Sequence, residues 1–121
     1  MAKAIIGTES AQALFKRARA LARRADAGER LPEADFRLNF ANAGELLDEL
    51  TPARLRLIEA LKTQGPVTIY ALAKRLNRNY SNVHQDVARL MECGLIAKNK
   101  AGHVFVPWEE IQIRLTLKTA A

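Results

Sequence analysis

The chain has few of the residues from which disulfides and metal sites are built. It contains one cysteine, Cys93, and two histidines, His84 and His103, among 121 residues. A single cysteine excludes a disulfide within the chain, and two histidines need carboxylates to complete a tetrahedral zinc site. We therefore expect neither a disulfide scaffold nor a metal or other cofactor.

Long apolar runs are also absent. No window approaches the roughly 18 uninterrupted apolar residues of a membrane helix, and the N-terminal segment has no signal-peptide apolar run. Hydrophobic residues at 49% and charged residues at 26% are near the values of globular proteins, so the composition predicts a folded core. We expect a cytoplasmic protein with one modest domain, or a small domain with an extra arm.

Acidic residues are too few to balance the basic ones. The 19 Lys and Arg against 13 Asp and Glu give a net charge of +6. The charge is +4 over residues 1–30, −4 over residues 31–50 and +6 over residues 51–121. A concentrated positive charge attracts polyanions and first indicates nucleic acid. The alternative is a charge that only keeps the protein soluble.

A basic amphipathic helix is predicted near the N-terminus. Ser10 can cap it, apolar residues recur at intervals of three and four as far as Ala25, and Gly28 follows its end. We interpret residues 1–35 as a helical arm with a linker that opens at Leu31-Pro32. Such an arm can dock a partner, form a dimer or fold back on its own domain. The basic positions are Lys16, Arg17, Arg19, Arg23 and Arg24.

Residues 36–121 are predicted to form the main domain, which is mainly α with a small β-hairpin. Capping residues, prolines and glycines separate its elements. The predicted helices cover residues 43–50, 52–63, 70–76, 81–93 and 108–117. Extended segments are predicted at residues 36–40, 67–69, 95–98 and 104–106, of which the last two form the hairpin.

The helix over residues 81–93 has a polar face opposite its apolar one. Val83, Val87, Leu90 and Met91 share one face at steps of 100° per residue. Asn and Gln side chains can each make paired hydrogen bonds to adenine, and Arg can do so to guanine. We predict that the polar face contacts DNA bases, although an ordinary solvated face is the alternative. The predicted base-contacting residues are Ser81, Asn82, Gln85 and Arg89.

Residues around this helix are predicted to contact the DNA backbone. First-turn N–H groups attract phosphates, and basic residues on the hairpin can do the same. The predicted residues are Thr68, Tyr70, Arg78, Asn79, Tyr80, His84, Lys98, Lys100 and His103. Each has an alternative: Thr68 is a helix cap in either case, Tyr80 can lie at the core edge, and His84 can pack on the preceding helix. The hairpin charges can serve solubility alone.

Three acids and one tryptophan are assigned structural roles. Asp86 would repel DNA, so we predict that it orients Arg75 or Arg78. Glu109 and Glu110 fit the first turn of the predicted final helix, where acids favour the helix dipole. Trp108 is predicted to cover the core. No spacing of Ser, His and Asp indicates a nucleophile with its base, and we expect no enzyme.

The order of elements from Thr51 resembles the winged helix-turn-helix of bacterial transcription regulators. The likeness lies in GPVTIYALAKRLNRNYSNVHQDVARLMECGLI (65–96) and in the wing AKNKAGHVFVP (97–107). The segments LTPARLRLIEAL (50–61), NVHQDVARL (82–90) and VFVPWEEI (104–111) are similar to a family of small DNA-binding regulators of MarR or ArsR type. The resemblance covers about residues 36–115.

Members of that family often act as the antitoxin half of a toxin and antitoxin pair. The resemblance therefore implies a sequence-specific regulator of double-stranded DNA that represses its own operon, together with a cognate toxin protein as partner. We expect a homodimer, because one recognition helix buries too little surface for strong specificity. The alternative is a protein-interaction or dimerisation module that neutralises a toxin, with DNA binding secondary.

Overall fold

A computed structural model describes residues 2–31 and 34–117 of the chain. The fold is α+β, as the sequence predicts. The chain forms two compact units, one from residues 1–49 with 109–121 and the other from residues 50–108. Along the chain the elements are β1 Ala4–Gly7, α1 Ala11–Asp26, β2 Phe36–Asn39, α2 Ala43–Glu49, α3 Pro52–Gln64, α4 Ile69–Leu76, α5 Tyr80–Glu92, β3 Ala97–Lys98, β4 Val104–Phe105 and β5 Ile111–Ile113.

A three-stranded parallel sheet organises the first unit, and β1 is its central strand. Ala4 lies beside Phe36 of β2 and Ile111 of β5, and Ile6 lies beside Leu38 and Ile113. Neighbouring residues in a parallel register share a face, so these six side chains form one apolar face of the sheet. Ala4 and Ile6 are fully buried.

The predicted N-terminal helix is confirmed, but it connects two strands of the sheet. Parallel strands cannot be joined by a tight turn, and α1 is the crossover from β1 to β2. Ser10 caps α1 by accepting a hydrogen bond from the Ala13 N–H. The predicted division after residue 35 therefore differs from the structure, which pairs β2 with β1. The predicted linker at Leu31-Pro32 lies partly outside the described residues.

The predicted helix over residues 108–117 is wrong. The N–H of Glu109 donates to the Ala2 carbonyl at 3.2 Å, and the N–H of Arg114 donates to the Ile6 carbonyl at 2.8 Å. The alternating residues Ile111, Gln112 and Ile113 form β5 because β1 offers them a ladder of backbone partners. Glu110 precedes this strand, where a hydrogen bond from Gln112 and the charge of Lys3 lower the pKa of its carboxyl.

The second unit buries one apolar core from three helices and the hairpin. α3 begins after the cap Thr51 with Pro52 in its first turn, as predicted, and ends at Gly65. Trp108 is half-buried, and its indole Nε1–H donates to the Gly94 carbonyl at 3.0 Å. The large fully buried side chains of this unit are Leu50, Leu57, Leu61, Leu72, Val83, Val87, Leu90, Leu95 and Val104.

The predicted hairpin is confirmed in shorter form. β3 and β4 pair antiparallel, with Lys98 beside Val104. Val67, predicted as extended, forms an isolated bridge with Val104 on the other side of β4. In the part of the chain that the structure describes, no helix is long and apolar enough to cross a membrane.

Two isoleucines on the apolar face of the sheet give a matched test of this packing. Ile6→Ala removes a fully buried side chain and should lower the free energy of unfolding by about 2–5 kcal/mol. The Ile113 side chain lies beside Ile6 but is 40% exposed, so Ile113→Ala should lower the free energy of unfolding by less than half as much. Urea unfolding followed by circular dichroism measures both, and equal losses would contradict the sheet described here.

Candidate nucleic-acid interface

Two helices and a tight turn position the predicted DNA-contacting side chains. Thr68 caps α4 by accepting from the Ala71 N–H at 3.1 Å. Asn77 ends α4 in the left-handed conformation, at φ 53°. Asn79 then caps α5 by accepting from the Ser81 N–H at 2.8 Å. The caps thus end α4 and begin α5 on either side of a tight turn of three polar residues, 77–79, as predicted.

The predicted polar face of α5 is exposed. Val83, Val87 and Leu90 on the opposite side are fully buried, which fixes the rotation of the helix. Arg89 donates to the Glu92 carboxylate at 2.8 Å across an exposed pair. The exposed residues of the face are Ser81, Asn82, Gln85, Ala88 and Arg89.

Asp86 lies in α5 beside this face, and two arginines neutralise it. Its carboxylate accepts from Arg54 of α3 at 3.0 Å and from Arg78 of the turn at 2.8 Å. The Asp86 side chain is only 15% exposed. The predicted pairing with Arg78 is confirmed, whereas Arg54 takes the place considered for Arg75. Arg54 was missed because nothing in the sequence relates α3 to α5 at that position.

Two tyrosines border a depression between α4 and the start of α5. Tyr70 is 61% exposed and Tyr80 is 48% exposed, and the depression has a volume of about 430 Å³. The Lys74 ammonium lies 5.4 Å from the centre of the Tyr70 ring. Sequence reasoning missed Lys74, although its spacing of four residues from Tyr70 placed both on one side of a helix. The depression is lined by Tyr70, Ala73, Lys74, Asn77, Arg78, Asn79 and Tyr80.

Arg78 and His84, both predicted to contact phosphates, differ in their exposure. Arg78 is half-buried and committed to Asp86, and its second terminal nitrogen, Nη1, is buried without a hydrogen-bond partner among the described residues. His84 is exposed, and its ring centre lies 5.8 Å from that of Tyr80 in the same helix.

The hairpin carries its basic residues at the exposed end. Lys98 ends β3 and Lys100 lies in the turn, and both are exposed. Asn99 shapes the turn, because its side-chain oxygen accepts from the N–H groups of Ala101 and His103 at 3.0 Å each. His103 is half-buried and precedes β4.

The whole excess of positive charge belongs to the second unit. Residues 50–108 contain nine Lys and Arg against three acids, a net charge of +6. The remaining residues contain ten of each and are neutral. Within the described residues, no group of three or more His, Cys, Asp or Glu side chains could hold a metal ion.

The role of Asp86 can be measured against an exposed acid of the same helix. Asp86→Ala leaves two half-buried guanidinium groups without their shared acceptor and should lower the free energy of unfolding by about 1–3 kcal/mol. Glu92→Ala breaks an exposed pair and should cost below about 0.5 kcal/mol. Thermal or urea unfolding gives both values, and a loss as small for Asp86 as for Glu92 would contradict a structural role.

Comparisons with known proteins give one result. No curated protein and no solved structure matches the chain. The profile of the HVO_A0114 family matches residues 49–113, which is more than half of the chain. This match includes α3, α4, α5, the hairpin and β5. The chain therefore belongs to the HVO_A0114 family.

Proposed function

We propose that this protein is a sequence-specific regulator that binds double-stranded DNA through a winged helix-turn-helix. In this proposal α4 and α5 form the helix-turn-helix, α5 is the recognition helix and the β3–β4 hairpin is the wing. The observation that carries the proposal is the exposed face of α5. It presents Asn82, Gln85 and Arg89, while the neighbouring Asp86 is neutralised by two arginines.

The exposed face has the chemistry that base recognition needs. The major groove is about 12 Å wide and admits an α-helix. Asn82 and Gln85 can pair with adenine through their amides, and Arg89 can pair with guanine after exchanging Glu92 for the base. Ala88 is small and allows the helix backbone a close approach.

Phosphate contacts would orient α5 on the duplex. The positive end of the α5 helix dipole and the Lys74 ammonium beside Tyr70 are candidates for contacts to one strand. Lys98 and Lys100 on the wing are candidates for a second contact. The net charge of +6 within residues 50–108 supports this assignment, because an affinity for phosphates depends on local positive charge.

We expect the protein to act as a homodimer on a site with two half-sites. One recognition helix contacts only a few base pairs, and two-fold symmetry doubles the number that are read. The regulator would then repress its own promoter, as the resemblance to MarR- and ArsR-type regulators implies.

The test is to select binding sites for the full-length protein from a randomised duplex pool and to measure affinity by fluorescence anisotropy. Gln85→Ala should reduce the preference for the selected site over a scrambled duplex by about 1–3 kcal/mol. Lys100→Ala should weaken binding to both duplexes equally. It should also reduce the slope of log affinity against log salt concentration by about one. Gln64→Ala, at an exposed position at the end of α3, is the matched control and should change neither.

Two results would contradict the DNA-binding proposal. One is the absence of any salt-dependent binding to duplexes at low ionic strength. The other is a Gln85→Ala protein that keeps the full preference for the selected site, because recognition would then lie elsewhere on the molecule.

A second proposed function is the neutralisation of a toxin, and the exposure of α1 favours it. No residue of α1 is buried, and Phe15 is 64% exposed on a helix that also carries exposed Arg19 and Arg23. An exposed aromatic residue amid arginines fits a partner with an acidic, partly apolar surface. The two functions are compatible, since α1 and α5 belong to different compact units.

Point changes test this second function better than deletion of residues 1–30, which would remove the central strand β1. Phe15→Glu should abolish the relief of growth arrest when the protein is co-expressed with a toxin encoded beside it, and should leave DNA affinity unchanged. Leu47→Glu, at a position 54% exposed on α2, is the control and should retain relief. Full relief by Phe15→Glu would contradict the assignment of α1 to toxin binding.

A further inference from the structure

A cavity of about 450 Å³ lies at the carboxyl ends of the three parallel strands. All of its lining residues belong to the first compact unit, and none of them is among the residues proposed to contact DNA. Strand ends and the start of α1 supply the lining. The residues are Ile5, Gly7, Thr8, Glu9, Ser10, Ala13, Arg37, Asn39, Arg114 and Thr116.

The cavity lies on the polar face of the sheet. The register places Ile5 beside Arg37 and Gln112, and Gly7 beside Asn39. Parallel sheets usually have apolar residues on both faces, so a face with Arg37, Asn39 and Gln112 is unusual. These polar side chains do not contribute to an apolar core, which indicates that the face serves another purpose.

Gly7 keeps the floor of the cavity open. A Cβ atom at this position would lie 3.3 Å from the Arg114 carbonyl and 3.7 Å from the Asn39 side-chain oxygen. Gly7 is itself buried at the end of β1. Any larger side chain would therefore occupy space between β2 and the segment after β5.

Arginine is in excess around the cavity. Arg37 lies 3.7 Å from the Glu9 carboxylate, which also accepts from Arg17 of α1. The other terminal nitrogen of Arg17, Nη1, is buried without a hydrogen-bond partner among the described residues. Arg114 donates to the Gln112 amide oxygen at 2.9 Å. The lining thus holds the guanidinium groups of Arg37 and Arg114 against the single carboxylate of Glu9, whose charge Arg17 also neutralises from outside the lining. The positive excess favours an anion.

The sheet topology gives the same location for a ligand independently of charge. The strand order is β2-β1-β5. From β1 the chain first adds β2 on one side of β1, and it later adds β5 on the opposite side. In open parallel sheets, ligands bind outside the carboxyl end of the strand where the order reverses direction. Here that strand is β1, and Gly7 and Thr8 at its end line the cavity.

We propose that this cavity binds the phosphate monoester of a small metabolite. Guanidinium groups bind phosphate oxygens in bidentate pairs. Arg37 lies on β2 and Arg114 directly follows β5, and these two strands flank β1 on opposite sides. A volume of about 450 Å³ is within the range of small-molecule sites and exceeds what a bare phosphate ion fills. The remaining space takes the organic part of the ligand.

NMR titration of the full-length ¹⁵N-labelled protein with ribose 5-phosphate, without DNA, tests the proposal. The amide signals of Gly7, Glu9 and Ala13 should shift and saturate, whereas ribose alone should leave them unchanged. Arg114→Gln should weaken binding at least tenfold. Arg23→Gln makes the same charge change at an exposed position of α1 outside the cavity and should preserve affinity.

Three outcomes would overturn the proposal. One is the absence of saturable shifts with ribose 5-phosphate. A second is an equal loss of affinity in the Arg23→Gln and Arg114→Gln proteins, which indicates attraction to basic charge in general. The third is an equal affinity for inorganic phosphate, which means that the cavity takes the ion alone. Because no DNA is present, none of these results bears on the DNA-binding proposal.

Discussion

The parallel ladder on both sides of β1 is the constraint on which the first unit depends. Each edge of this four-residue strand needs a partner, because buried backbone groups must be paired. Its partners come from residues 36–39 and 111–113, so the ladder joins segments from the start and the end of the chain. A parallel partner requires a crossover, and α1 meets that requirement. The parallel pairing of β1 and β2 is thus a sufficient structural reason for α1.

In the second unit, Asp86 links structure to the proposed function. Its carboxylate forms ion pairs with Arg54 of α3 and Arg78 of the turn, so it links the turn to α3. The same contacts cancel a negative charge that would otherwise stand near the exposed face of α5. A single ion-pair network therefore stabilises the turn and leaves the face suited to an anionic partner. A substitution of Asp86 is therefore expected to affect both the stability of the turn and the proposed recognition.

Local signals in the sequence predicted α3, α4, α5 and the hairpin, with ends within a few residues. Caps such as Thr51, Thr68 and Asn79 and glycines such as Gly65 act on adjacent residues, so their effects can be read along the chain. β1 was missed, although Ile5-Ile6 followed by Gly7 is a short strand signal. The predicted helix from residue 108 was wrong for two reasons. Glu109-Glu110 is a pattern typical of a first helical turn, and β1, the strand that pairs with β5, lies more than a hundred residues earlier in the chain.

For the candidate site, the sequence predicted which side of α5 is exposed, because helical periodicity determines it. Periodicity gives no information on contacts between elements. Arg54 as the partner of Asp86, Lys74 beside Tyr70 and the cavity around Gly7 all depend on how separate segments pack. The cavity in particular combines residues from two strands, a helix and the segment after β5, and together they form no recognisable motif in the sequence.

The second compact unit is inserted within the first, between α2 and β5. During synthesis from the N-terminus, residues 50–108 have therefore all been made while β1 still has one unpaired edge. The sheet closes only when residues 111–113 have emerged, and Arg114 and Thr116 of the cavity follow them. A nascent chain arrested before that point would contain every residue proposed to contact DNA and an unfinished phosphate site.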